Sequence, residues 1–209
     1  VIERFILTND VNLGGKNTDG NSALHVVAHS VSERIVKLLL DRGLDSLATN
    51  NAGQTPLHLG IIHGREKLTK LLFDVVNDLT PLDNSESQPF HAAAAAGSVY
   101  LAELLRERMW GNPLCRNKWG ENTLHMAAKS RHTKATSRLL EDGVDPNIPN
   151  NDHQTALFLA ADKEHDQVVS RLLDKGANPN IQEKYGGVVL HACCDNEGEN
   201  RVYWLWCGN

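Results

Sequence analysis

A four-residue pattern returns along this chain at a near-constant interval, and that interval restricts the fold more than any other feature. The copies are Ser22-Ala23-Leu24-His25, Thr55-Pro56-Leu57-His58, Gln88-Pro89-Phe90-His91, Asn122-Thr123-Leu124-His125, Thr155-Ala156-Leu157-Phe158 and Val188-Val189-Leu190-His191. Their last residues are separated by 33, 33, 34, 33 and 33 positions. A period of this length marks one supersecondary unit made repeatedly. Each unit has an apolar face it cannot cover alone, so neighbours must stack and stability comes largely from their interfaces.

Other positions keep the same register. A Leu-rich segment closes a second helix at Leu38-Leu39-Leu40, Leu71-Leu72, Leu104-Leu105, Leu139-Leu140 and Leu172-Leu173. Gly43, Gly143 and Gly176 follow, where a helix C-cap with positive φ is cheap only without a side chain. Small residues follow the tetrapeptide at Ala127-Ala128, Ala160-Ala161 and along Ala92 to Ala96. Small side chains let neighbouring helices approach closely.

The period, the Thr55-Pro56-Leu57-His58 tetrapeptide and the glycine-terminated Leu helix resemble the ankyrin repeat. The resemblance covers essentially the whole chain. It implies an all-α solenoid of stacked helix–turn–helix units with hairpin or turn tips. It also implies a protein–protein contact module with no catalytic residues of its own. The register predicts one domain over 1–209, with a partial repeat at 1–15 and full repeats at 16–48, 49–81, 82–115, 116–148 and 149–181. A terminal repeat occupies 182–209.

Departures from the pattern are local. In the third repeat Gln88-Pro89-Phe90-His91 replaces the usual tetrapeptide and Glu86 stands at a glycine position. One extra residue falls between Arg106 and Pro113, near Met109-Trp110-Gly111. In the second repeat Val76 takes the C-cap glycine register, so 78–88 is expected to be irregular. Ile2, Phe5 and Ile6 lie 33 positions before Ile35, Leu38 and Leu39, which suggests a start within a second helix. At the other end Val202, Leu205 and Trp206 align with Val169, Leu172 and Leu173, with no polar capping face. A longer array, or a partner over the C-terminal helix, is the expectation, and with it self-association of the isolated chain.

Charge narrows the partners. The 209 residues carry a net charge of −5, which argues against a nucleic-acid duplex because phosphate binding needs clustered positive charge. No apolar run has the length of a membrane span, so no membrane insertion is expected. The cysteines are Cys115, Cys193, Cys194 and Cys207, and their spacing forms no disulfide framework. No Asn-x-Ser/Thr site occurs. Both observations favour an intracellular setting, cytoplasmic or nuclear.

Ten histidines invite a metal reading, but five of them (His25, His58, His91, His125 and His191) hold one repeat position. The resemblance implies that this side chain bonds the backbone of the neighbouring turn. Zinc-type Cys/His spacing is missing, so no metal and no cofactor are expected. Cys193-Cys194 fall at the small positions and read as packing, as does Cys115. Gly14-Gly15-Lys16 lacks the upstream glycine of a phosphate loop and reads as a turn. With no nucleophile elbow or zinc-protease pattern, the chain does not read as an enzyme.

The resemblance directs a partner to the tips and to the outward face of each first helix. The tips are Thr18-Asp19, Asn51-Ala52, Asn84-Ser85, Lys118-Trp119, Asn151-Asp152 and Lys184-Tyr185. Trp119 and Tyr185 share one register, and aromatic residues dominate binding hot spots. Ile62 and His63 on a first helix, and the basic step made by Lys118 and Lys129, complete the candidate partner-binding set. Asp152 and Asp162 make the following repeat acidic. The leading expectation is an adaptor or scaffold binding a protein partner. The alternative is a regulatory or targeting segment of a larger enzyme or channel.

Overall fold

The computed structural model describes residues 13–28, 33–76, 81–107 and 112–194, without the side chains of 106, 107, 193 and 194. The expected partial repeat before residue 13, the Met109-Trp110-Gly111 insertion and the C-terminal aromatic helix lie outside the described residues. So do Cys207 and the side chains of Cys193 and Cys194.

Among the described residues there are eleven helices and no strand. In chain order they are α1 (Ala23–Val27), α2 (Glu33–Asp41), α3 (Pro56–Ile62), α4 (Glu66–Val75), α5 (Pro89–Ala95) and α6 (Val99–Glu107). Then come α7 (Thr123–Lys129), α8 (Thr133–Glu141), α9 (Ala156–Asp162), α10 (Asp166–Asp174) and α11 (Val189–Cys194). They form two compact units, Val1–Ala92 and Ala93–Asn209. The division falls inside α5, in the repeat whose tetrapeptide departs most from the others.

Each unit builds its core in the same way. In the first unit α1 packs on α3 and α2 on α4; in the second α7 packs on α9, α9 on α11, α6 on α8 and α8 on α10. The short first helices begin where Ser22, Thr55, Asn122 and Thr155 stop the extended backbone, and Pro56 at the first helical position is pre-set for a helix. The second residue of each of these helices and of α5, Leu24, Leu57, Phe90, Leu124 or Leu157, is buried. Second helices bury Leu39, Leu72, Leu105, Leu139 and Leu172, again one register. Ala127, Ala128, Ala160 and Ala161 are fully buried, as the expected close approach of first helices requires.

Helix ends follow the glycine register. Gly43, Gly143 and Gly176 adopt φ of 76°, 84° and 83°, and Leu44 N–H returns to Leu39 O at 3.2 Å to close the last turn. Val76 cannot follow that path at low cost. It is extended (φ −86°, ψ 121°) and buries its side chain instead, so the second repeat leaves its helix differently from the others.

Candidate interaction surface on the turn tips

Between one second helix and the next first helix, the chain makes a tight turn, and a single side chain organises it. Asn17, Asn50, Asp83, Asn117 and Asn150 each use Oδ1 to accept two backbone N–H groups, two and four residues on. A carboxamide or carboxylate of this length mimics a backbone carbonyl, which is why Asn and Asp favour such turns. Glu183 at the same register accepts only from Gly187 N–H, at 2.8 Å. The sequence carries this signal as an Asn or Asp every 33 or 34 residues.

Consecutive tips are stitched together. Asn51 N–H donates to Asp19 O at 2.9 Å and its Nδ2 to Thr18 O at 3.0 Å; Asn84 repeats this on Ala52 and Asn51. In the second unit Asn151 donates to Trp119 O at 3.0 Å and Lys118 O at 3.1 Å. A Cβ on Gly20, Gly53 or Gly120, all at positive φ, would meet the Oδ1 of the asparagine that follows. The asparagines at 51, 84 and 151, expected among the variable tip positions, therefore hold tip to tip. His153 has φ 60° at this glycine register, and the next tip begins with Lys184, which donates only its backbone N–H, to Asp152 O at 2.9 Å.

With the backbone of the tips committed, their outward side chains are what they present to solvent. Trp119 is 48% exposed and Tyr185 86% exposed. Each has the preceding lysine across its ring, Lys118 Nζ at 4.5 Å from the Trp119 centroid and Lys184 Nζ at 5.9 Å from that of Tyr185. Lys184 also reaches Asp152 at 3.9 Å. Trp119, Tyr185 and Lys118 thus lie on one line of tips in the second unit.

Lys129, part of the expected basic step, is exposed and also holds a buried charge. Its Nζ sits 3.1 Å from Glu121 Oε1, and Glu121 is buried, with Asn117 Nδ2 donating to its other oxygen at 3.1 Å. A buried carboxylate needs such compensation, so Lys129 is bound up with the interior of its own repeat. Ile62 and His63 end α3 in the first unit. Ile62 is 41% exposed, and His63 N–H closes the helix on Leu59 O at 3.0 Å.

The repeated histidines are engaged as the resemblance implied. Nδ1 of His25, His58, His91, His125 and His191 accepts the N–H three residues earlier, at 3.0 to 3.2 Å. Nε2 of His25, His58 and His125 then donates to the carbonyl 29 residues on, Gln54, Ser87 or Gln154. This requires the neutral ring. Burial lowers the pKa of His25 and His58 and takes that of His125 down to about 4, with the carbonyl contacts opposing it. Burial likewise pushes the Cys115 thiol up to about 12. Among the described residues no three His, Cys, Asp or Glu side chains gather as metal ligands would, and no helix is long and apolar enough to cross a membrane.

The family model for ankyrin repeats in three copies matches residues 1–83, 68–150, 90–183 and 124–207. The chain therefore belongs to the ankyrin-repeat family, an all-α repeat class whose members generally serve as protein–protein interaction modules and are typically not enzymes. No curated protein matches it.

Proposed function

We propose that this protein is an adaptor or scaffold that binds a partner protein through the tips of its second unit. The observation that carries this reading is the pair of exposed rings, Trp119 and Tyr185, on one register. The fold needs neither: the turn is built by Asn117 or Glu183 and the stacking by backbone groups. Large aromatics held on a pinned backbone lose little freedom on binding, which is the property of a hot spot. Lys118 belongs to the same surface. Ile62 and His63 form a second exposed step in the first unit, and Lys129 contributes through its exposed end. The reading takes the setting to be intracellular, supported by cysteine spacing that forms no disulfide framework and by a Cys115 thiol that burial keeps protonated.

The test is affinity capture from a cellular lysate with the wild-type chain and with Trp119→Ala/Tyr185→Ala, after thermal melts show equal stability. A specific protein retained by the first and lost by the second supports the reading. Identical captured sets from both remove these tips from the site.

A further inference from the structure

We infer that the sixth repeat is joined to the fifth by a weakened seam, and that residues 182–194 undock as one segment while the rest of the second unit stays folded. The inference stands apart from the tip-binding reading. In a stacked array each junction carries its own share of the stability, so the junction with the fewest bonds opens first. The junction between the fourth and fifth repeats shows what a complete seam holds. His125 Nε2 bonds Gln154 O at 3.2 Å, and Asn151 Nδ2 donates to Lys118 O at 3.1 Å beside its backbone bond to Trp119 O. His165 Nδ1 reaches back to Ala128 O at 2.9 Å. Asn147 Nδ2 donates to Gly176 O at 3.3 Å, and its Oδ1 accepts Asn178 N–H at 2.6 Å.

At the next junction the first two of these side-chain links are replaced. Phe158 stands at the histidine register and has no nitrogen for Gly187 O, 29 residues on, which takes Glu183 N–H at 2.8 Å. Lys184 stands at the asparagine register. It keeps the backbone bond to Asp152 O at 2.9 Å, but it has no carboxamide to donate to Asn151 O. Its ammonium lies 3.9 Å from Asp152 instead, with the two side chains 55% and 60% exposed, and such a pair holds weakly. His153 accounts for the lysine. Glycine precedes each stitching asparagine at 51, 84 and 151, and a Cβ there would meet the asparagine Oδ1. His153 carries that Cβ at φ 60°. Leu190, at the register of the buried Leu124 and Leu157, is 37% exposed, so its burial adds less. The sixth turn is closed on itself by Glu183 and Gly187, so it keeps its shape and only its attachment is weak. Trp119 therefore lies on the part that stays and Tyr185 on the part that opens.

The experiment is amide hydrogen exchange read by mass spectrometry on the full chain, comparing peptides that cover 182–194 with those that cover the same register one repeat earlier, 149–161. The expected result is protection about tenfold lower, or more, over 182–194. His153→Gly/Phe158→His/Lys184→Asn, which reinstates the complete seam, is expected to raise that protection by about tenfold and to leave 116–148 unchanged. Phe158→His alone is expected to recover part of it, because Thr155 already stands where Thr55 stands before His58. This single variant decides the question should the triple variant lose protection over 116–148. Equal protection of the two segments in the wild type overturns the inference. So does rapid exchange over 182–194 that persists in the variants, since that opening would owe nothing to the replaced residues.

Discussion

Asn122 Oδ1 and His125 Nδ1 stand 2.6 Å apart in the buried cap of α7, and in the neutral ring that the cap requires both atoms are acceptors. Oδ1 already takes the N–H groups of Leu124 and His125, while Asn122 Nδ2 is buried without a partner. Turning the amide would feed Nδ1 but forfeit those two caps. A hydroxyl resolves the conflict because it both donates and accepts, as Ser22 Oγ does with His25 Nδ1 at 2.8 Å and Thr55 Oγ1 with His58 Nδ1 at 3.0 Å. Asn122→Thr is therefore expected to stabilise the second unit by about 1 kcal/mol, the usual worth of one satisfied hydrogen bond. Chemical denaturation measures this, and a loss of stability would contradict the acceptor–acceptor assignment.

The Glu121–Lys129 pair predicts a non-additive cycle. Lys129→Ala leaves a buried carboxylate without its cation and is expected to cost on the order of 2 kcal/mol, less than a fully buried pair because the Lys129 side chain is 46% exposed. Glu121→Gln, the residue that Gln54 and Gln154 place at this register, removes the need for the cation. In that background Lys129→Ala should cost only a few tenths of a kcal/mol. Equal costs in both backgrounds would show that the ion pair is not what holds Glu121.

At the tip, Gly120→Ala should be severe. It asks a side chain to adopt φ 74° and drives Cβ into Asn151 Oδ1, which itself holds the next tip. A loss of about 2 kcal/mol or more is expected from strain and the broken stitch together. His153→Gly is expected to go the other way by up to about 1 kcal/mol, since His153 already bears the left-handed conformation. Melting both variants beside the wild type checks the opposite signs.

Gly60 marks a position where a methyl group should help. A Cβ there would lie 3.1 Å from Thr69 Oγ1, but Ala127 occupies the same register opposite Thr136 nine residues on, with both fully buried. Gly60→Ala is expected to stabilise by about 0.5–1 kcal/mol through the lower backbone entropy of alanine in a helix. A destabilised variant would mean that Thr69 cannot shift as its counterpart has.

Acid should weaken the fold as the pH falls below the ordinary histidine range. The pKa values of His25, His58 and His125 are lowered in the folded state, that of His125 to about 4, against an ordinary value of 6.5. The unfolded chain thus binds protons first as pH falls. The stabilisation from the neutral rings is whole above about pH 6.5 and is lost on descent, ending for His125 near pH 4. Each such ring contributes a slope of up to about 1.4 kcal/mol per pH unit within its window. Denaturant midpoints at pH 7.5 and 5.5 test this, and equal midpoints would refute it.

The repeat was legible because the constraints on it are local and recur. A histidine three residues after a cap, a leucine one residue before it and a glycine at a helix end each report what the backbone does within a few positions. The pairing of Lys129 was not legible in that way. Its charge reads as surface and is exposed, but its partner Glu121 is eight residues away and becomes buried only once the turn and α7 have formed. The tip asparagines are hidden in the sequence for a related reason: Asn51, Asn84 and Asn151 look like variable polar loop residues until the preceding tip lies beneath them.

Sequence by itself determined the period, the helix pairs and the core leucines, because those follow from short-range backbone chemistry repeated at fixed spacing. Tertiary structure decided which polar residues were used up inside the array. Asn151, Glu121 and Asn117 are committed to internal hydrogen bonds, and Trp119 and Tyr185 remain exposed. Glu121 meets Asn117 and Lys129 only when the turn and α7 have folded onto each other, and Asn151 meets Lys118, 33 residues away, only when the repeats stack.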